Sequence, residues 1–185
     1  MNRLFLLPCF ILAALQLPGQ PRKCHIPKAG EISVVIFLAV DCPISQKYIP
    51  VLTSIHEKYK NSHVTLQSFV PGNASRRTVN TFRQEFEIPF YVNRDSEYEC
   101  VKALAANVTP EVFVFDSSGD LRYRGAIDNW FYDLGEYRKE ATEHYLTDAI
   151  DALISEEKPA TVNTHAVGCP IQVPGKHTTR EGTHH

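Results

Sequence analysis

The strongest constraint on this chain is an unbroken apolar run, Ser33-Val-Val-Ile-Phe-Leu-Ala-Val40, that stops at Asp41-Cys42-Pro43-Ile44-Ser45. A β-branched-rich run of that length suits a central strand covered on both faces. Proline at a first helical position, with a small polar residue before it, is helix-start chemistry. From there Tyr48, Leu52, Ile55 and Tyr59 recur at helical offsets and predict one buried stripe reaching about Lys60. Pro50 falls inside that helix and is expected to kink it. A buried strand that feeds straight into a helix points to an α/β architecture.

The rest of the chain continues the alternation. Residues 64–70 read as a second strand, 71–75 as a loop, 76–86 as a helix and 88–93 as a short strand. A helix is expected from about Ser96 to Ala106. Residues 111–115 and 121–125 flank the turn-rich Asp116-Ser-Ser-Gly-Asp120 and read as a hairpin. A last helix is expected from about Glu136 to Ser155, followed beyond Lys158 by polar, turn-rich chain with a loose end. Helices flanking a central mixed sheet are the predicted layers, with no internal repeat.

The first twenty residues are set apart from this domain. Arg3 precedes an apolar stretch from Leu4 to Leu15, and Pro18-Gly19 follow. That charged, apolar, small-residue order predicts a secretory signal over residues 1–20, with an uncleaved anchor as the alternative. The division expected is then a domain over 21–160 and a tail over 161–185. Removal of the signal leaves Cys24, Cys42, Cys100 and Cys169 in an oxidising compartment, periplasmic or secreted. Nineteen basic against 21 acidic residues leave no basic footprint for nucleic acid and no polybasic arm for a membrane surface. No stable membrane association is therefore expected after signal cleavage.

Cys42 is the leading candidate for chemistry. At a strand-to-helix junction the helix dipole and the free N–H groups favour thiolate over thiol. Ser45, three residues on, is placed to turn its hydroxyl and N–H back toward the sulfur. The competing reading is an inert, buried structural cysteine. Thr109-Pro110, just before the 111–115 strand, reads either as an ordinary loop proline or as a cis proline.

Three stretches carry a family resemblance: VVIFLAVDCPISQKYIP (34–50), NVTPEVFVFDSSGDLRYRGAIDN (107–129) and HYLTDAIDALISEEKPATVNTHAVGCPI (144–171). In that order they resemble bacterial redoxin-domain proteins of the alkyl hydroperoxide reductase/thiol-specific antioxidant superfamily. The resemblance implies a thioredoxin-like fold, a reactive thiol at Cys42, and a cis bond at Thr109-Pro110 that packs against that thiol and presents backbone to an extended substrate. It also brings forward Cys169 within Gly168-Cys169-Pro170-Ile171. Two departures matter. Ser45 stands where dithiol thioredoxins carry a second cysteine, so no CxxC disulfide can form. Ala39 and Val35 stand where peroxiredoxins carry a hydroxyl residue and a proline, so efficient peroxide reduction is not expected.

Other residues bear on the same chemistry. Cys169 reads as a resolving thiol supplied by the tail or as a structural partner of Cys24. Cys100 is expected to be packed core. Cys24-His25 with His165 and Cys169 match no zinc spacing, so no metal is expected, and no cofactor motif is present. Asn73-Ala-Ser75 and Asn107-Val-Thr109 are sequons, silent in a periplasm. Trp130, Phe131 and Tyr132 suggest an aromatic rim or core packing. The leading expectation is an exported thiol-disulfide oxidoreductase acting on protein thiols or disulfides through the single CPxS cysteine, with small thiols or peroxides as further substrates. The alternatives are a peroxiredoxin-like reductase and a non-catalytic module that assembles a metal or cofactor protein.

Overall fold

A computed structural model describes Cys24 and residues 30–175; the predicted signal over residues 1–20 and the last ten residues lie outside the described residues. In chain order the elements are β1 (Ile32–Phe37), α1 (Pro43–Tyr59), β2 (Val64–Pro71), α2 (Arg76–Glu85), β3 (Tyr91–Asp95), α3 (Glu99–Leu104) and β4 (Val108–Thr109). There follow β5 (Glu111–Phe115), β6 (Leu121–Gly125), β7 (Phe131–Asp133), β8 (Glu136–Tyr137), α4 (Tyr145–Ile154) and β9 (Cys169–Pro170).

The main sheet has the order β3-β2-β1-β5-β6. β1 to β3 run parallel, whereas β5 is antiparallel to β1 and β6 to β5. β1 therefore lies at the centre, and all six of its residues are buried. Because side chains alternate along a strand, Val34 and Ile36 join a core with Leu52, Leu146 and Ile150 from α1 and α4. Val35 and Phe37 point the other way, into a smaller core with Phe69, Cys100, Val101 and Phe113. This is the mixed sheet between helices that the apolar run implies.

The strand is shorter than the apolar run. Leu38 still donates its N–H to the Phe69 carbonyl at 3.0 Å, but the chain then turns, and Cys42 N–H reaches back to the Ala39 carbonyl at 3.3 Å. α1 runs through Pro50 without interruption and buries Tyr48, Leu52, Ile55 and Tyr59 as the spacing predicts. α3 is shorter than expected because Tyr98 and Ala105, at its two ends, both sit in the left-handed region. The third strand is displaced to Tyr91–Asp95.

The last helix begins at Tyr145, not Glu136. Residues 131–137 instead form the β7–β8 hairpin, turned at Gly135 with φ of 82°. The physical reason lies in the neighbours. Asn129 Oδ1 accepts the backbone N–H groups of Thr142 (2.8 Å) and Glu143 (3.2 Å), so they are not available to a helix. Tyr137 meanwhile packs on Phe131 and Trp130, and Lys47 Nζ lies 4.1 Å from the centre of its ring. Of the expected aromatic rim, Phe131 is core, Trp130 is half-buried and Tyr132 is exposed.

A buried tyrosine ties α1 to the chain after β6. Tyr48 donates to Asp128 Oδ1 at 2.6 Å, and the same oxygen accepts Trp130 N–H at 2.8 Å. Burial, reinforced by the Asp128 carboxylate, pushes the Tyr48 hydroxyl well above the usual phenol range. Tyr59 is pushed up to about 12, again first by burial. A folded-state pKa above the unfolded value means the stabilisation is complete below about pH 10 and is lost as pH rises through the folded value. Tyr48→Phe should therefore cost about 1.5–3 kcal/mol at neutral pH, the range for a bond to a charged acceptor. In denaturant melts, the gap between wild type and variant should close as pH rises above 10. A gap that holds constant to higher pH would show that the hydroxyl is not the group responsible.

Candidate active site

Cys42 is the N-cap residue of α1, in extended backbone (φ −86°, ψ 113°), with Pro43 opening the helix. Its carbonyl accepts the Gln46 N–H at 3.0 Å, and the Gln46 side chain donates to the Val40 carbonyl at 2.7 Å, closing the turn that presents the sulfur. The sulfur thus lies at the positive end of a 17-residue helix. There the unpaired N–H groups stabilise a thiolate.

Thr109-Pro110 joins β4 to β5 and its peptide bond is cis. The Thr109 carbonyl oxygen stands 3.1 Å from Cys42 Sγ. In the reduced state this oxygen is placed to accept a hydrogen bond from the Cys42 thiol. Glu111, directly after the proline and buried, braces the loop. Its Oε2 accepts Asn107 N–H and its Oε1 accepts Arg124 Nη2, both at 2.8 Å.

The third component comes from the tail. β9 pairs antiparallel with β4, with Thr109 opposite Cys169 and Val108 opposite Pro170. Cys169 is disulfide-bonded to Cys42 across a Cα–Cα distance of 6.1 Å, inside the usual range for such a bond. Beside the bond lies a groove of about 510 Å³, whose walls include Val40, Asp41, Gly72, Tyr98 and Ile171. The tail is not loose here. Upstream, Arg124 on β6 donates its N–H to the Val162 carbonyl and accepts the Thr164 N–H, both at 3.1 Å, and Thr164 Oγ1 accepts Ala126 N–H at 2.9 Å.

Three expectations are corrected. Cys24 does not pair with Cys169; it is bonded to Cys100, with Cα atoms 4.7 Å apart. Cys100 is buried as expected but it is a disulfide partner, because α3 brings it to the start of the domain rather than leaving it as plain core. Ser45 is fully buried, and its Oγ accepts the Ala39 N–H at 3.3 Å. It thereby supports the turn before Cys42, and its bond is to backbone rather than to sulfur. Cys24 and Cys169, grouped above as possible metal ligands, belong to separate disulfides. Among the described residues no cluster of three or more His, Cys, Asp or Glu could hold a metal; His25 lies outside them.

A family model described as Redoxin matches residues 6–130. The chain belongs to the Redoxin family. A comparison of this redoxin with curated proteins gives no match. Among solved structures it is similar to a hypothetical protein from Sinorhizobium meliloti 1021. There the identity is 20%, the TM-score 0.70, and the match covers 80% of this chain and 82% of that one. An uncharacterized conserved protein from Geobacillus kaustophilus matches at 21% identity and TM-score 0.69, over 81% of each chain. A thioredoxin-like protein solved in the oxidized form matches at 14% identity and TM-score 0.54, over 72% of this chain and 83% of that one. The fold is thioredoxin-like, as the resemblance implies.

Two features of the site escaped the sequence reading. Glu111 braces the proline loop, and its only signal was an acid inside an otherwise apolar strand, EVFVF. Gly168 packs against the Thr109-Pro110 backbone, and its signal was the small residue before Cys169-Pro170.

Proposed function

We propose that this redoxin is an exported thiol-disulfide oxidoreductase whose redox pair is Cys42 and Cys169, with protein thiols and disulfides as partners. The observation that carries the reading is the convergence of a helix-capping cysteine, the Thr109-Pro110 loop and a bonded tail cysteine at one edge of the fold. Two disulfides in one small domain, behind a charged-then-apolar opening, support an oxidising compartment.

The exchange is a pair of displacements. In the reduced protein the Cys42 thiolate attacks one sulfur of a partner disulfide; a Cys42–partner bond forms and the second partner sulfur leaves as thiolate. The Cys169 thiolate then attacks Cys42 Sγ, closing Cys42–Cys169 and releasing the first partner sulfur. Two protons from the redoxin thiols end on the partner thiols, and two electrons pass to the partner. The same steps reversed oxidise a partner dithiol. The test is turnover of a disulfide-linked model peptide with glutathione as electron donor, together with disulfide mapping of the protein before and after. Turnover above the glutathione background, with Cys42–Cys169 opening and reclosing, is expected. A Cys42 that stays bonded throughout, or no rate above background, overturns the reading.

Peroxide is expected to be a poor substrate. Ala39 supplies no hydroxyl to orient a peroxide, and its N–H is taken by Ser45. Stopped-flow mixing of reduced protein with hydrogen peroxide should show a rate near that of a free thiolate. A rate close to that of a dedicated peroxiredoxin would place the chemistry at a sulfenic acid instead.

A further inference from the structure

Cys42 is 1% exposed although it sits at the mouth of the fold, and what covers it is this chain's own tail. We propose that the tail segment Val167-Gly168-Cys169-Pro170-Ile171 occupies the place of the protein partner, and that the partner is an extended segment with glycine directly before its reactive cysteine. The inference rests on the thiol-disulfide reading of the Cys42 site and narrows it to a substrate class.

The segment is held the way an added strand is held. It lies antiparallel to Val108–Thr109, the Ile171 N–H donates to the Asn107 carbonyl at 2.8 Å, and Thr109 Oγ1 donates to the Cys169 carbonyl at 3.4 Å. These are backbone contacts that any extended chain can make, so they supply affinity without selecting a sequence. Selection comes from Gly168. A Cβ at that position would lie 2.3 Å from the Thr109 carbonyl oxygen, 2.7 Å from its carbon and 3.1 Å from Pro110 N. These are backbone atoms, braced through Glu111 and unable to swing aside like the end of a side chain. Gly168 does not sit at positive φ, so its role is close approach rather than backbone freedom. The following position is permissive, because Pro170 is exposed and contributes no N–H. Val167 and Ile171, half-buried against the two cores, favour apolar residues at both ends of the segment.

Tail and partner compete for one strand edge. β9 is a two-residue pair, so once the Cys42–Cys169 bond is open the tail still covers Cys42 most of the time but is no longer locked there. The tail then lifts from its anchor at Thr164, and the partner takes the edge and forms its bond to Cys42. When Cys169 returns to attack Cys42 Sγ, the tail reclaims the same edge, so closing the disulfide also ejects the product.

The test uses the full chain carrying Cys169→Ser. Its probes are the thionitrobenzoate disulfides of the peptides Val-Gly-Cys-Pro-Ile and Val-Ala-Cys-Pro-Ile, with the symmetrical small-molecule disulfide as a reference. Release of thionitrobenzoate and formation of the Cys42–peptide bond are followed together, each rate divided by that with glutathione as attacking thiol. The glycine peptide should react at least about tenfold faster than the alanine peptide, as expected for an added methyl with no room. Equal rates for the two peptides, or reaction with the small disulfide but neither peptide, overturn the docking proposal and leave the oxidoreductase reading standing. Failure of Cys42 to react even with the small disulfide overturns both. A second variant, Gly168→Ala in the otherwise unaltered chain, loosens the tail itself. After reduction its Cys42 should be alkylated by iodoacetamide about tenfold faster than wild type. An unchanged rate would show that the tail does not guard the thiol.

Discussion

Cys42→Ser is expected to abolish disulfide exchange, leaving only the uncatalysed background, whereas Cys169→Ser should keep the first displacement and accumulate the Cys42–partner bond. The two variants separate because the residues act in sequence. A serine hydroxyl cannot form the mixed disulfide, so nothing downstream can occur. Without Cys169 the mixed disulfide forms but waits for an external thiol. Non-reducing electrophoresis and intact mass after mixing with a model disulfide protein should show the adduct in Cys169→Ser and none in Cys42→Ser. An adduct carried by Cys169 in the Cys42→Ser chain would reverse the assigned order.

Acidity alone does not account for such a difference. At pH 7 a free thiol of pKa about 8.5 is only about 3% thiolate, whereas a helix-terminal thiol near 7 is about half ionised. Nucleophilicity falls with pKa along a Brønsted slope of about 0.45, so the net gain in attack is only about threefold. Under the proposed exchange, most of the acceleration would therefore come from holding the partner sulfur in line with Cys42 Sγ, a task the β4 edge and the Thr109-Pro110 backbone are placed to perform. Thr109 contacts the sulfur through its carbonyl and β9 through its backbone and hydroxyl, so one residue is placed to register both reactants of the proposed exchange.

What could be read in advance follows the range of the interactions involved. Local patterning was enough for β1, for α1 and its buried stripe, and for the β5–β6 hairpin, because each is decided by neighbours in sequence. The same patterning failed at residues 136–144. There Asn129 captures the backbone and Tyr137 joins an aromatic cluster, and both contacts are invisible to a helical window. Cysteine pairing was less legible still. Cys42 meets Cys169, 127 positions away, only because β9 pairs with β4, and Cys24 meets Cys100 across 76. Ser45 was singled out by its spacing from Cys42 as a partner of the sulfur, and instead it bonds backbone. Its bond to Ala39 depends on how the chain turns between β1 and α1, and spacing does not encode that turn.

Replacing both Cys24 and Cys100 by alanine should cost the domain about 2–4 kcal/mol of stability, the typical contribution of a disulfide. For a chain of this size that corresponds to a fall in Tm of about 10 °C. Exchange at Cys42 at a temperature where the variant is folded should change by less than about twofold, since this pair lies in the smaller core, on the opposite face of the sheet from α1. The cost arises on both sides of the folding equilibrium. In the unfolded chain the bond restricts a loop spanning 76 positions, and without it that entropy is recovered. In the native state α3 is only six residues long and is bounded by two left-handed residues, so it has little helical cooperativity of its own. Its other anchors include Val101, whose N–H donates to the buried Asp95 carboxylate at 2.9 Å, the Ala105 carbonyl just past its end, which accepts Arg124 Nη2 at 3.1 Å, and the packing of residue 100 in the core with Phe37 and Phe113. Truncating both sulfurs removes the tether to Cys24 and thins that packing. Thermal melts of the oxidised wild type and the double variant, with exchange rates measured on both, decide the matter. An unchanged Tm would mean that the start of the domain is held by other contacts, and a lost exchange rate would mean that α3 is coupled to the Cys42 edge.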